Sequence, residues 1–61
     1  MTNMTQQPAV LVKRYDRSRL YDTVAARYVS LDELHSWRNR NIAFEIRDAE
    51  TGEDVTRILL A

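Results

Sequence analysis

Cysteine is absent from the 61-residue chain, and glycine, proline and histidine each occur once. Without cysteine there is no disulfide framework and no thiolate metal site, a pattern that suits a reducing compartment. One histidine offers a single good ligand with no second to complete a set, so neither a metal nor another cofactor is expected. Net charge is missing too: nine Lys and Arg balance nine Asp and Glu, whereas a general polyanion binder carries an excess of base. No apolar run approaches the roughly 18 residues of a membrane helix. The opening MTNMTQQPA has neither the basic start nor the hydrophobic stretch of a signal peptide, so the expectation is a cytoplasmic protein without membrane contact.

The chain is also short of length. A domain of this size buries only about 60% of the surface its unfolded form exposes, and disulfide and metal staples are already excluded, so a homo-oligomer is expected. Glu50, Glu53 and Asp54 crowd one turn without a nucleophile or base beside them, and there is little chain to enclose a ligand pocket. An enzyme is not expected.

What the chain does have is charge sorted along its length. Residues 1 to 29 carry Lys13, Arg14, Arg17, Arg19 and Arg27 against Asp16 and Asp22, while in residues 30 to 61 the acids outnumber the arginines. Such asymmetry between halves hints at an electrostatic face. Residues 1–8 are polar, lack periodicity and end in the only proline, which reads as a disordered lead-in to one domain over residues 9–61.

Within that domain, β-branched, aliphatic and aromatic residues predict strands at residues 10–15, 20–22 and 27–29, the first two joined by a turn at Asp16, Arg17 and Ser18. Ser30 and Glu33 form the S-x-x-E pattern of a helix start, in which the serine oxygen takes an N–H of the first turn and the glutamate reaches back. Leu31 and Leu34 supply an apolar stripe, and Asn39 or Asn41 can end the helix in the left-handed conformation. Ile42, Phe44 and Ile46 alternate with Ala43, Glu45 and Arg47, the period of a strand with one buried face. Gly52 supplies a positive φ for a tight turn, and Asp54 or Thr56 caps a last element over residues 57–61. The fold class is α+β: a small antiparallel sheet made of a meander, a helix and a further strand, with a C-terminal helix start.

Four motifs stand in order: Lys13-Arg14-Tyr15, Leu20-Tyr21-Asp22-Thr23, Arg27-Tyr28-Val29 and Thr51-Gly52-Glu53-Asp54. Together they resemble the N-terminal DNA-binding domain of polyhydroxyalkanoate (polyhydroxybutyrate) accumulation regulators, over roughly residues 11–60. One departure is Asp16-Arg17-Ser18-Arg19, where members of that family typically carry glycine-asparagine-arginine-lysine. The resemblance implies a transcriptional repressor of granule-associated genes with double-stranded promoter DNA as partner. Any engagement of the polyhydroxyalkanoate granule then falls to regions outside this chain.

On this reading the nucleic-acid contacts are Lys13, Arg14, Arg17, Arg19, Tyr21 and Arg27, whose cations release counterions from phosphates or reach base edges. Tyr15, Tyr21 and Tyr28 interleave with them. Base stacking is one use for such tyrosines, and ring packing with the hydroxyl at the rim is the one preferred here. Trp37 lies off the Leu31/Leu34 stripe and, with Ile58, Leu59 and Leu60, is a candidate oligomer contact, packing against its own sheet being the other reading. The alternative function is an interaction or oligomerisation domain without DNA binding, motivated by the zero net charge and the altered turn.

Overall fold

The first strand, β1 (Val10–Arg14), anchors a four-stranded sheet in the computed structural model, which describes residues 9–60. The lead-in expected over residues 1–8 lies outside the described residues. β2 (Leu20–Asp22) and β3 (Arg27–Val29) follow as an antiparallel meander, with Lys13 opposite Tyr21 and Tyr21 opposite Tyr28. In the β2–β3 turn, Asp22 Oδ1 accepts the N–H groups of Val24 and Ala25 at 2.8 and 3.0 Å, and Ala26 takes a φ of 58°.

Helix α1 (Leu31–Asn39) starts as its sequence predicts. Ser30 Oγ accepts from the Glu33 N–H and Glu33 Oε1 accepts from the Ser30 N–H, both at 3.1 Å, so the capping box is closed. Asp32 and Glu33 lie in its first turn and Arg38 in its last, each favourable to the helix dipole. Past the C-cap Arg40, Asn41 takes the left-handed conformation with φ 60°.

The chain then enters β4 (Phe44–Asp48), which pairs parallel to β1 from Val10↔Phe44 to Arg14↔Asp48. The strand order β3-β2-β1-β4 makes the sheet mixed, a refinement of the expected antiparallel sheet within the same α+β class. The reason is the helix. A helical connection from β3 returns the chain to the end where β3 began, so the next strand repeats the direction of β3, and hence of β1. Period-two alternation carries no information about direction.

After β4 the Asp48 carboxylate caps a tight turn through the N–H groups of Glu50 and Thr51, at 2.8 and 3.0 Å, and Gly52 there adopts φ 78°. Val55 N–H donates to the Ile46 carbonyl, and Arg47 and Asp54 form an antiparallel bridge, so this segment lines the outer edge of β4. α2 (Thr56–Leu60) follows, with Thr56 Oγ1 accepting the Ile46 N–H at 2.8 Å. Among the described residues no helix is long and apolar enough to cross a membrane.

One face of the sheet is packed. Val12, Leu20, Val29 and Ile46 meet Leu34 of α1 and Val55 and Leu60 beside or within α2, with Val10, Trp37, Phe44 and Leu59 at the border. The Trp37 and Phe44 rings meet edge to face, 5.7 Å between centroids. By strand alternation the other face presents Leu11, Lys13, Tyr21, Tyr28, Glu45 and Arg47. Both helices lie on the first face, so the second carries none of them.

Leu34 is fully buried, and Leu34→Ala should cost about 2–5 kcal/mol in urea unfolding, whereas Ile58→Ala, at a side chain 73% exposed, should stay within about 0.5 kcal/mol. Ala26→Gly should raise stability by up to about 1 kcal/mol by relieving the left-handed backbone of an alanine.

Candidate nucleic-acid interface

The hairpin between β1 and β2 is organised by one carboxylate. Asp16 Oδ1 accepts the N–H groups of Ser18 and Arg19 at 2.9 and 3.0 Å and the Ser18 hydroxyl at 3.2 Å, while Oδ2 accepts Arg19 Nε at 2.9 Å. The Tyr15 N–H donates to the Arg19 carbonyl and closes the loop. These donors, the Ser18 N–H first and the Arg19 guanidinium next, hold the Asp16 carboxyl down to about 2. Asp16, which distinguishes this turn from the glycine expected of the family resemblance, therefore acts as a local cap that also fixes Arg19.

The five cations among the predicted contact residues separate into two groups. Lys13 stands mid-strand on the helix-free face, directly beside Tyr21 across the ladder, and Arg17 is exposed in the hairpin loop. Neither makes an ion pair among the described residues. Arg14 points to the packed face, where its Nη2 lies 3.0 Å from Oδ2 of Asp48, its own register partner on β4, with the two side chains 25% and 20% exposed. Arg27 Nη2 lies 2.9 Å from Glu33 Oε2 and ties β3 to the first turn of α1. Arg19 sits on Asp16, whose hydrogen bond and charge raise its pKa further above the ordinary arginine value.

These pairings redistribute the charge that the sequence had sorted. Arg14–Asp48 and Arg27–Glu33 each join a cation of the first half to an acid of the second, so the basic half is neutralised at the packed face and at the helix start. Five cations make no ion pair among the described residues: Lys13 and Arg17 on the hairpin, and Arg38, Arg40 and Arg57 at the end of α1 and in α2.

Arg47 is the residue that sequence reasoning missed. It is the parallel register partner of Lys13, on the same helix-free face, and is steadied by Glu45 Oε2 at 3.2 Å and by the Gly52 carbonyl at 2.8 Å. Its position on the face opposite Phe44 and the buried Ile46 was legible. Its neighbour was not, because that depends on β4 lying next to β1.

The four proposed oligomer contacts are dispersed. Leu60 is buried in the chain's own core, Leu59 and Trp37 border it, and Ile58 alone is largely exposed. An open cleft of ≈ 520 Å³ lies on the packed side, between Arg38 near the end of α1, Phe44 at the start of β4, and Arg57 and Leu60 of α2. Among the described residues no three His, Cys, Asp or Glu side chains group as metal ligands.

A family model described as "PHB/PHA accumulation regulator DNA-binding domain" matches residues 11–61. Similar curated proteins include an uncharacterized protein of Allochromatium vinosum and an uncharacterized protein in the phbA 5′ region of Thiocystis violacea. Each is 32% identical over 50 residues; the matches cover 82% of this chain and 33% and 36% of the two relatives. The chain thus spans about a third of the length of these curated relatives. No solved structure matches.

Asp16, Glu33, Asp48 and Asp54 all have carboxyls held below their ordinary values, chiefly by hydrogen bonds from Ser18, Arg27, Arg14 and Thr56 respectively. A depressed folded pKa means that the unfolded chain takes up protons first as pH falls, so the stabilisation is complete above the ordinary carboxylate range and is lost below it. The thermal midpoint should hold level above about pH 5 and fall between about pH 4 and the value of about 2 set by Asp16. A midpoint that stays level down to pH 2 would contradict this.

Proposed function

The chain belongs to the PHB/PHA accumulation regulator DNA-binding domain family, and from that membership we propose that it binds duplex DNA through the β1–β2 hairpin. The observation that carries this reading is the pair of cations, Lys13 and Arg17, left without an acidic partner among the described residues on one hairpin, with Tyr21 beside Lys13. Two strands lie about 4.8 Å apart, and a two-stranded ribbon enters a B-DNA major groove about 12 Å wide. Arg17, at the loop, leads. Lys13 and Tyr21 follow on the ribbon face, and Arg19, held in place by Asp16, adds a positioned guanidinium.

Arg14 and Arg27 support the reading differently. Their guanidiniums secure β1 to β4 and β3 to α1, which makes them frame rather than contact. On this proposal the domain is the DNA-reading part of a repressor of granule-associated genes. Engagement of the polymer or its surface belongs to the roughly two thirds of the relatives' length that this chain does not span.

Binding is measured by anisotropy of a labelled duplex from the protein's own upstream region, and of an unrelated duplex, across a salt series. Lys13→Ala and Arg17→Ala should each weaken binding and lower the salt slope by about 1, the share of one phosphate contact, with unfolding unchanged. Arg14→Ala should instead lower stability, because Asp48 loses its partner at a site only 20% exposed. Affinity and salt slope that both survive Lys13→Ala and Arg17→Ala would overturn the hairpin assignment.

A further inference from the structure

The helix-free face holds an aromatic surface that hairpin contact with a duplex leaves unused. Tyr28, Tyr21, Lys13 and Arg47 stand side by side across β3, β2, β1 and β4, each the register partner of the next. Tyr15 joins them, its ring centroid 6.5 Å from that of Tyr21, which is in turn 5.1 Å from that of Tyr28, at interplanar angles of 76° and 74°. The expectation that these tyrosines pack their rings holds for Tyr21, flanked on both sides. Tyr15 and Tyr28 remain 47% and 56% exposed, with the core on the opposite face of the sheet.

Ring surface of this kind has a specific complement. In a duplex the base faces are stacked on one another and only their edges reach the grooves, so exposed tyrosine rings find nothing to stack on. An unpaired strand offers both a π-face at every base and a phosphate between bases, and proteins that bind one combine aromatic rings on a sheet with cations along the backbone path. Here Tyr28 and Tyr21 share one register row with the cations, and Tyr15 adjoins it through Tyr21. Arg47 uses Nε and Nη1 on Glu45 and the Gly52 carbonyl, leaving Nη2 without a hydrogen bond among the described residues, and the same contact takes up the charge of Glu45, the acid on this face.

We infer that the helix-free face is a stacking platform for single-stranded nucleic acid, in which bases stack on Tyr15 and Tyr28 while Lys13 and Arg47 meet the flanking phosphates. This is an activity beyond duplex binding and does not depend on it.

The test is anisotropy of a labelled oligothymidylate of about 12 nucleotides, within the range that one small sheet module covers, run beside the duplex. Tyr15→Leu and Tyr28→Leu should each weaken oligothymidylate binding at least about fivefold. Tyr15→Phe and Tyr28→Phe should retain it, and duplex affinity should change little in all four. Arg47→Ala should lower the single-strand salt slope by about 0.7. Thermal midpoints of the Leu and Phe variants, compared directly, separate loss of stacking from loss of fold. No binding of oligothymidylate by the unaltered domain, or equal binding by the Leu and Phe variants, would overturn the platform whatever the duplex result. Loss of duplex binding alone bears only on the hairpin.

Discussion

The parallel pairing of β1 with β4 is the constraint on which the rest of the molecule depends. It sets Val12 beside Ile46, both fully buried, and so creates the floor on which Leu34, Val55 and Leu60 close the core. It also puts Arg14 opposite Asp48, so that an ion pair of the frame coincides with the end of the ladder and with the cap of the following turn. On the reverse side the same register makes Lys13 and Arg47 neighbours. A one-residue slip would exchange the two faces and lose the core and the cationic row together.

A chain this short has one sheet to divide between stability and recognition. The helices and every fully buried side chain lie on one side of it; the exposed tyrosines, Lys13 and Arg47 occupy the other side, and Arg17 the hairpin loop. Zero net charge is compatible with nucleic-acid binding under this arrangement. Acids hold the frame at Glu33, Asp48 and Asp16, and Lys13 and Arg17 are left without an acidic partner on one hairpin.

Local chemistry made much of this legible in the sequence. The capping box, the left-handed Asn41, the positive φ of Gly52 and the two short strands β2 and β3 each follow from residues within a few positions of one another. What sequence could not show was long-range. Asp48 is 34 positions from Arg14, and neither residue carries a mark of the other. For that reason Arg14 read as a free cation, Arg47 went unnoticed, and the charge asymmetry of the two halves looked like two poles rather than pairs. Ala26 is the local exception, an alanine with φ 58° that no turn rule selects.

The central claim is that recognition occurs on the helix-free side of β1 and β2 and not on the packed side. Chemical-shift mapping of the domain, titrated with its own upstream duplex, locates contact residue by residue. Perturbations clustered at Lys13, Arg17, Arg19 and Tyr21, with Leu34 and the Arg38–Arg57 cleft unmoved, are the predicted result. Perturbations centred on that cleft and on α2, with the hairpin silent, would contradict the account.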